Sequence, residues 1–215
     1  MKPRLVLYGA GGHGKVVADI VEKQGHYDLV GFIDDCRSGD FFGLPILGER
    51  GALQELQHHG VKHAIATIGD NKVRELIGEY LVEAGFSLGV AVHPSAQIAK
   101  GVNLGSGTAV MPGAVIGPDA IVGRGCIVNT GASVDHDCNL GDYVHAAPGA
   151  RLGGGVSVGA RTLVGIGATV LQCRAIGMDA VIGAGAVVVK DVPHSLTVVG
   201  APARALEGGR SNARR

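Results

Sequence analysis

Tryptophan is absent from the 215-residue chain, and Phe and Tyr number only four each. Aromatic bulk fills most conventional cores, so this interior must be narrow and lined by aliphatic side chains. Proline is also scarce, 8 residues against 37 glycines, which excludes a collagen repeat and a Pro/Gly-rich disordered chain. Neither sign of charge is in excess, with 19 Lys+Arg and 19 Asp+Glu. The cationic surplus that a nucleic-acid or anionic-membrane surface needs is therefore missing. No window of about 18 apolar residues occurs. Met1-Lys2-Pro3-Arg4 leads into Leu5-Val6-Leu7-Tyr8 without a signal-peptide core, so neither export nor a membrane span is expected. Cys36, Cys126, Cys138 and Cys173 form no CxxC pair, as befits a reduced cytoplasmic chain.

What is present is a period of six. From Val92 to Val188, every sixth residue is Val, Ile or Leu in unbroken register, with Ala146 the one departure. Four residues after each comes a small or β-branched residue such as Ala96, Thr108, Cys126, Ala132 or Cys138, with Arg174 the bulky polar exception. Glycine often follows the aliphatic directly, as at positions 105, 117, 123, 141, 153, 159, 165, 177 and 183. A period of six fits neither a helix nor a simple alternating strand. It fits short strands joined by tight turns, with the aliphatic inward and the following glycine expected to bend the chain at positive φ. The period by itself implies a solenoid of stacked repeats. Cys126 and Cys138 fall in the small inward slot, where a thiol packs as a small hydrophobe.

The first 91 residues are different and alternate strand and helix. Leu5–Tyr8, Leu29–Ile33 and Ala64–Ile68 read as buried strands. Val16–Gln24, a stretch around Gly51–His59 and one from Asn71 to about Ala84 read as helices. This alternation predicts a small parallel sheet covered on both faces, with ligands at the carboxyl ends of its strands. At the first turn, Gly9-Ala10-Gly11-Gly12-His13-Gly14-Lys15 satisfies a dinucleotide fingerprint, with Asp34 at the distance of a ribose-binding acid. It also begins like a P-loop, but Val16 replaces the Mg²⁺-ligating Ser/Thr, which excludes NTP hydrolysis. Glycine amides and a helix N-terminus attract phosphate in either case. A nucleotide-sugar, NAD and a ligand-free packing turn all remain compatible, NAD being disfavoured by a module half the usual size. His13 reads as a substrate contact or as a loop cap. Asp34 and Asp35 read as acceptors for ligand hydroxyls or as solvated strand-end acids.

Outward positions of the repeat are bland except in Asn129–His145. His136 is third in its hexad and His145 sixth, outside the inward slots, and both are expected to face a cleft or solvent. Asp135 and Asp137 flank His136, and either can fix its tautomer and raise its basicity.

Asn-x6-His-Asp-Cys followed by Gly-Asp-Tyr-x-His resembles the active segment of the bacterial nucleotide-sugar acyltransferases of the hexapeptide-repeat superfamily. These include bacillosamine- and perosamine-type 4-amino-sugar N-acetyltransferases and sialic acid O-acetyltransferase-like proteins. Tyr8–Gly14, Phe32–Asp35, Ile68–Asn71, the hexads and Val199–Arg204 extend the resemblance over nearly the whole chain, with Gly12 where several relatives carry Ser.

The resemblance implies a Rossmann-like nucleotide-sugar-binding domain over 1–91. A left-handed parallel β-helix over 92–193 and a CoA-side turn with a tail over 194–215 would follow. It implies acetyl-CoA as acyl donor, no metal, a homotrimer with sites between subunits, and a cytoplasmic enzyme. The acceptor would be the C4 amine of a UDP- or GDP-linked 4-amino-4,6-dideoxy sugar. His136 would be the general base tuned by Asp137, Asn129 would orient His136 or the sugar, and His145 would contact the thioester. Gly165, Ile166, Gly200 and Pro202 would lie along the pantetheine arm, and Gly12, His13, Gly14, Asp34, Asp35 and Gly69 along the nucleotide-sugar. Sugar O-acetylation, a non-catalytic nucleotide-sugar scaffold and a zinc lyase of the gamma carbonic anhydrase type are the alternatives. The last lacks a third outward His in the same coils.

Overall fold

The computed structural model describes residues 2–206; the tail Glu207–Arg215, expected to be solvated, lies outside the described residues. The apolar run Leu5–Tyr8 becomes β1 (Arg4–Tyr8), whose four apolar residues are buried because strands lie on both sides and helices above and below. Parallel to it run β2 (Asp28–Ile33), β5 (Val61–Ala66) and β6 (Ser87–Leu88), in the order β2-β1-β5-β6. A short hairpin, β3 (Asp40–Phe41) with β4 (Leu44–Pro45), intervenes after β2. The helices are α1 (Gly12–Gln24), α2 (Leu53–His58) and α3 (Asn71–Glu83).

α1 starts four residues earlier than its apolar pattern suggests. Gly11 is the N-cap, so Gly12, His13 and Gly14 form the first turn rather than a loop before it. Asp70 caps α3, its Oδ1 accepting from the amides of Lys72 at 3.0 Å and Val73 at 2.9 Å, an arrangement that stabilises a helix by about 1 kcal/mol.

From Ala91 onward the chain winds into a β-solenoid of two-residue strands, β7 (Ala91–Val92) to β23 (Val187–Val188), three to a coil and nearly six coils in all. Residues eighteen apart pair in parallel, Val110 with Val128 and Val134 with Leu152 among them, giving three flat walls. The first wall carries Ala109, Ile127, His145, Leu163 and Val181, and the second carries Val115, Ser133, Arg151 and Thr169. The third carries Ile121, Asn139 and Ser157. The expected fold class, a Rossmann-like α/β module followed by this parallel β-helix, is the one observed. Val110, Val128, Ala146, Val164 and Ile182 stack in the axis with 0% exposure, so the outlier Ala146 keeps its inward slot. Cys126 and Cys138 are buried there too, each thiol donating to a carbonyl at 3.2 Å (Gly141 and Gly153). Thr108 and Thr162 fit the same slot by donating to Gly123 at 2.9 Å and Gly177 at 2.6 Å.

One expectation is corrected. Positive φ falls two residues later than the sequence reading placed it, at positions such as Gly131 (63°), Asp137 (57°) and Tyr143 (58°). The glycines directly after the aliphatics serve close stacking instead. A Cβ on Gly117 would lie 2.6 Å from the His136 nitrogen one coil on, and a Cβ on Gly159 would lie 2.3 Å from that of Met178.

The α/β module packs its α1 side on the first wall. Leu5, Leu7, Ala10 and Val17 share one core with Ala91, Ala109, Met111 and Ile127. Gly159→Ala is expected to destabilise the chain by about 1–3 kcal/mol through coil separation, read as a lower thermal midpoint. An unchanged midpoint would show that the stacking glycines are dispensable.

Candidate active site

Where α3 meets the first wall, Arg74 is 1% exposed and holds the two parts together. Its guanidinium donates to the carbonyls of Gly125 at 2.7 Å, Tyr143 at 2.8 Å, Ile68 at 3.0 Å and Gly69 at 3.2 Å, and to Asn71 Oδ1 at 2.8 Å. A buried cation is tolerable only with this density of acceptors. Around it, Asn71 Nδ2 donates to Arg161 O at 2.9 Å and Arg161 pairs with Glu75 and Asp179. In the sequence Arg74 is one helical cation among several, with no motif to mark it.

Beside this bolt the structure gathers His13, Gly69, Asn129 and His145. Asn129 Oδ1 accepts from the Thr130 amide at 2.8 Å, which turns its Nδ2 toward His145 Nε2 at 3.0 Å. The amide therefore donates to Nε2, and the imidazole carries its proton on Nδ1. Burial pushes His145 down to about 4, the Arg74 charge adds to this, and the nearby Gly69 carbonyl opposes it. His13 is pushed down to about 3 by burial, then by Arg74 and His145. Asn129, expected to orient His136 or the sugar, directs its side-chain amide to His145 within the chain, because residues 127–128 and 145–146 are neighbours on the first wall.

His145 lines a cleft of about 730 Å³ together with Asn71, Lys72, Gly165, Ile166 and Asp179. Gly200 lies one coil beyond this edge: Ile182 pairs with Val198, and the Val187 amide donates to Gly200 O at 3.0 Å. Pro202 follows in the turn between β24 (Thr197–Val199) and β25 (Arg204–Ala205). Neither Gly200 nor Pro202 lines the cleft.

His136 stands elsewhere. Residues 135–138 link the second wall to the third, so its ring is on the outer edge away from the 730 Å³ cleft, with a side chain 59% exposed. Its Nδ1 meets Asp137 Oδ2 at 2.7 Å, while Asp135 Oδ1 accepts the His136 amide at 2.8 Å. The Asp137 hydrogen bond, then the Asp135 charge, raises the imidazole above its ordinary value. Nδ1–H is thus committed and Nε2 is left as the ring's unprotonated acceptor nitrogen. Cys138, two residues on, is buried with its thiol raised, mainly by desolvation.

At the turn after β1 the glycines divide by duty. A Cβ on Gly14 would lie 2.3 Å from Gly9 O, so Gly14 is demanded by packing, whereas Gly12 faces open space. Asp34 accepts from the amides of Ala10 at 2.7 Å and Cys36 at 2.9 Å, and Asp35 accepts from Tyr8 Oη at 2.6 Å and pairs with Arg50 at 2.7 Å. Both carboxylates first fix the mouth of the sheet; a carboxylate has about four acceptor sites, so capacity for a ligand remains. Among the described residues, no three His, Cys, Asp or Glu side chains are grouped to hold a metal ion, and no helix is long and apolar enough to cross a membrane.

A six-residue-repeat solenoid with an acid-tethered imidazole on its edge and an α/β module on one wall is the arrangement expected of a hexapeptide-repeat acyltransferase. Comparison with known proteins narrows this class. Residues 4–81 match the family described as the PglD N-terminal domain. PerB from Caulobacter crescentus, in complex with CoA and GDP-perosamine, superposes with a TM-score of 0.91 at 41% identity, covering 94% of this chain and 97% of that one. The acetyltransferase domain of PglB from Neisseria gonorrhoeae FA1090, in complex with acetyl coenzyme A, gives 0.92 at 38% identity, covering 96% and 100%. The UDP-N-acetylbacillosamine N-acetyltransferase of Bacillus subtilis (strain 168) is 37% identical over 111 residues, a match spanning half of this chain and half of that relative. The chain belongs to the nucleotide-sugar acetyltransferase family.

The two depressed imidazoles make folding pH-dependent. Below about 6.5 the unfolded chain binds protons at His13 and His145 that the folded chain refuses. The stability they contribute is full above that pH and falls by about 1.4 kcal/mol per pH unit for each ring as pH drops toward its folded value. The thermal midpoint is expected to fall between pH 7 and pH 5, and less steeply in His145→Asn; an equally steep fall in the variant would contradict the burial of a neutral ring.

Proposed function

We propose that the protein is an acetyl-CoA-dependent N-acetyltransferase acting on the C4 amine of a UDP- or GDP-linked 4-amino-4,6-dideoxy sugar. Transfer is direct, with His136 as general base. The observation that carries this reading is the exposed imidazole of His136, with Nδ1 tied to Asp137 at 2.7 Å and Nε2 free. It is supported by relatives bound to CoA with GDP-perosamine and to acetyl coenzyme A.

The neutral amine attacks the thioester carbonyl and its surplus proton passes to His136 Nε2. The tetrahedral adduct then collapses, and the imidazolium returns the proton to the departing CoA sulfur. His145, neutral, with Nε2 accepting from Asn129 and its Nδ1–H facing the Gly69 carbonyl, contacts the acetyl-CoA thioester from the cleft wall it lines. In this reading residues 1–91 bind the nucleotide-sugar through Gly12, His13, Gly14, Asp34, Asp35 and Gly69. The solenoid over 92–193 carries acyl transfer. Gly165 and Ile166, with Gly200 and Pro202 in the 194–215 segment, follow the pantetheine arm.

His136 and His145 occupy different faces of one protomer, so the reading requires a second copy. A homotrimer places the edge of one solenoid against the first wall of its neighbour and completes each site between subunits. Acetyl-CoA and nucleotide-sugars are cytoplasmic metabolites, and the cytoplasm is the compartment proposed.

Incubation with acetyl-CoA and a panel of UDP- and GDP-4-amino sugars, read by thiol release, tests the assignment. Transfer only to hydroxyl acceptors would favour O-acetylation, and no transfer at all a binding scaffold. His136→Asn is expected to lower kcat by about 10²–10⁴-fold; an unchanged rate would remove it as base. In Asp137→Asn the acid limb of the pH–rate profile should move to lower pH, since the carboxylate that raises the imidazole is gone. A limb that stays put would assign the tuning to Asp135.

A further inference from the structure

The hexad is tolerant at the position two residues after each inward aliphatic. Across the seventeen hexads from Val92 to Val188 it holds Pro, Lys, Ser, Arg, Thr, His, Asp, Ala, Ile, Gln or Met, and once glycine, at Gly154. Its neighbours are glycines for separate reasons. A Cβ on Gly153 would lie 2.9 Å from the Gln172 nitrogen of the next coil, and Gly155 has φ 68°. Gly154 has neither a positive φ nor a backbone atom among the three nearest neighbours of a built Cβ.

Those three are all in one ring: His136 Nε2 at 2.5 Å, Cε1 at 2.6 Å and Cδ2 at 3.2 Å. Residue 154 is one coil after 136 on the same edge, and the two strands are locked together, with the Gly155 amide donating to His136 O at 2.9 Å. The imidazole thus lies flat over the Cα of Gly154, and any side chain there would occupy its place.

We propose that Gly154 is a positioning residue for His136, its missing side chain allowing the imidazole to lie against the next coil with Nδ1 on Asp137 and Nε2 open to the acceptor. The inference rests on His136 acting as the base. An added methyl meets only an exposed side chain and no backbone, so Gly154→Ala folds and the ring swings away. A swing about the Cα–Cβ bond stretches the 2.7 Å contact between Nδ1 and Asp137 Oδ2, and misplacement by about 1 Å costs about 100-fold in rate.

The test uses the full-length Gly154→Ala protein, with His136→Asn as reference. It combines steady-state kinetics on the acceptor identified by the panel, thermal unfolding, and NMR titration of the His136 Cε1–H resonance. The expected result is a thermal midpoint near that of the wild type, a kcat about 100-fold lower and a KM for acetyl-CoA within about two-fold. The His136 titration should also move toward that of a free imidazole. An unshifted titration overturns the proposal whatever the rate, as does a wild-type kcat in Gly154→Ala while His136→Asn is inactive. If His136→Asn itself keeps the wild-type rate, the base assignment falls and the proposal with it.

Discussion

Hydrogen bonds between successive coils, such as Val115 N to Ala132 O at 2.9 Å and Gly117 N to Val134 O at 2.8 Å, hold every residue of the solenoid over the one eighteen before it. This ladder leaves little freedom at the corners. Where a Cβ directly after the aliphatic would meet the backbone of the following coil, as at Gly117 and Gly159, glycine is required, and the residue two further on takes a left-handed conformation at most corners. Asp137 sits at such a left-handed position, φ 57°. Asp119, Tyr143, Arg161, Cys173 and Asp179 hold the same conformation at other corners; at Asp137 it is the carboxylate that reaches back to the His136 ring.

The same framework separates imidazoles by environment. His136, on the exposed edge and beside two carboxylates, is made more basic. His145 and His13, enclosed at the junction and facing the Arg74 guanidinium, are kept neutral. Groups whose surroundings drive them in opposite directions suit opposite tasks, which favours a base on one face and neutral polar contacts on the other. Arg74 contributes to this difference as well as to the junction, because its charge opposes protonation of both enclosed rings.

The sequence and the structure agree best where a physical pattern repeats. The aliphatics from Val92 to Val188 announce the coil, and Leu5–Tyr8 with the glycines after it announces the α/β module. Local detail was less legible. The hairpin Asp40–Pro45 and the short strand Ser87–Leu88 have too few residues to show a period. The pairing of Asn129 with His145 depends on which coils are neighbours across a wall, a relation invisible until register is known. Arg74 acquires its role only from carbonyls at positions 68, 69, 125 and 143, contributed by distant segments. Position 154 is the reverse case: its glycine is visible as an exception in the repeat, but the ring above it is identified only by the stacking.

The proposal that His136 and His145 act from separate copies of the chain is tested most directly by subunit mixing. His136→Asn and His145→Asn chains, each nearly inactive alone, would be co-refolded or co-expressed in equal amounts and assayed for acetyl transfer. If each site takes its base from one copy and its thioester contact from another, random assembly restores about a quarter of the wild-type rate. A mixture no more active than the sum of its parts would mean that both imidazoles act within one protomer.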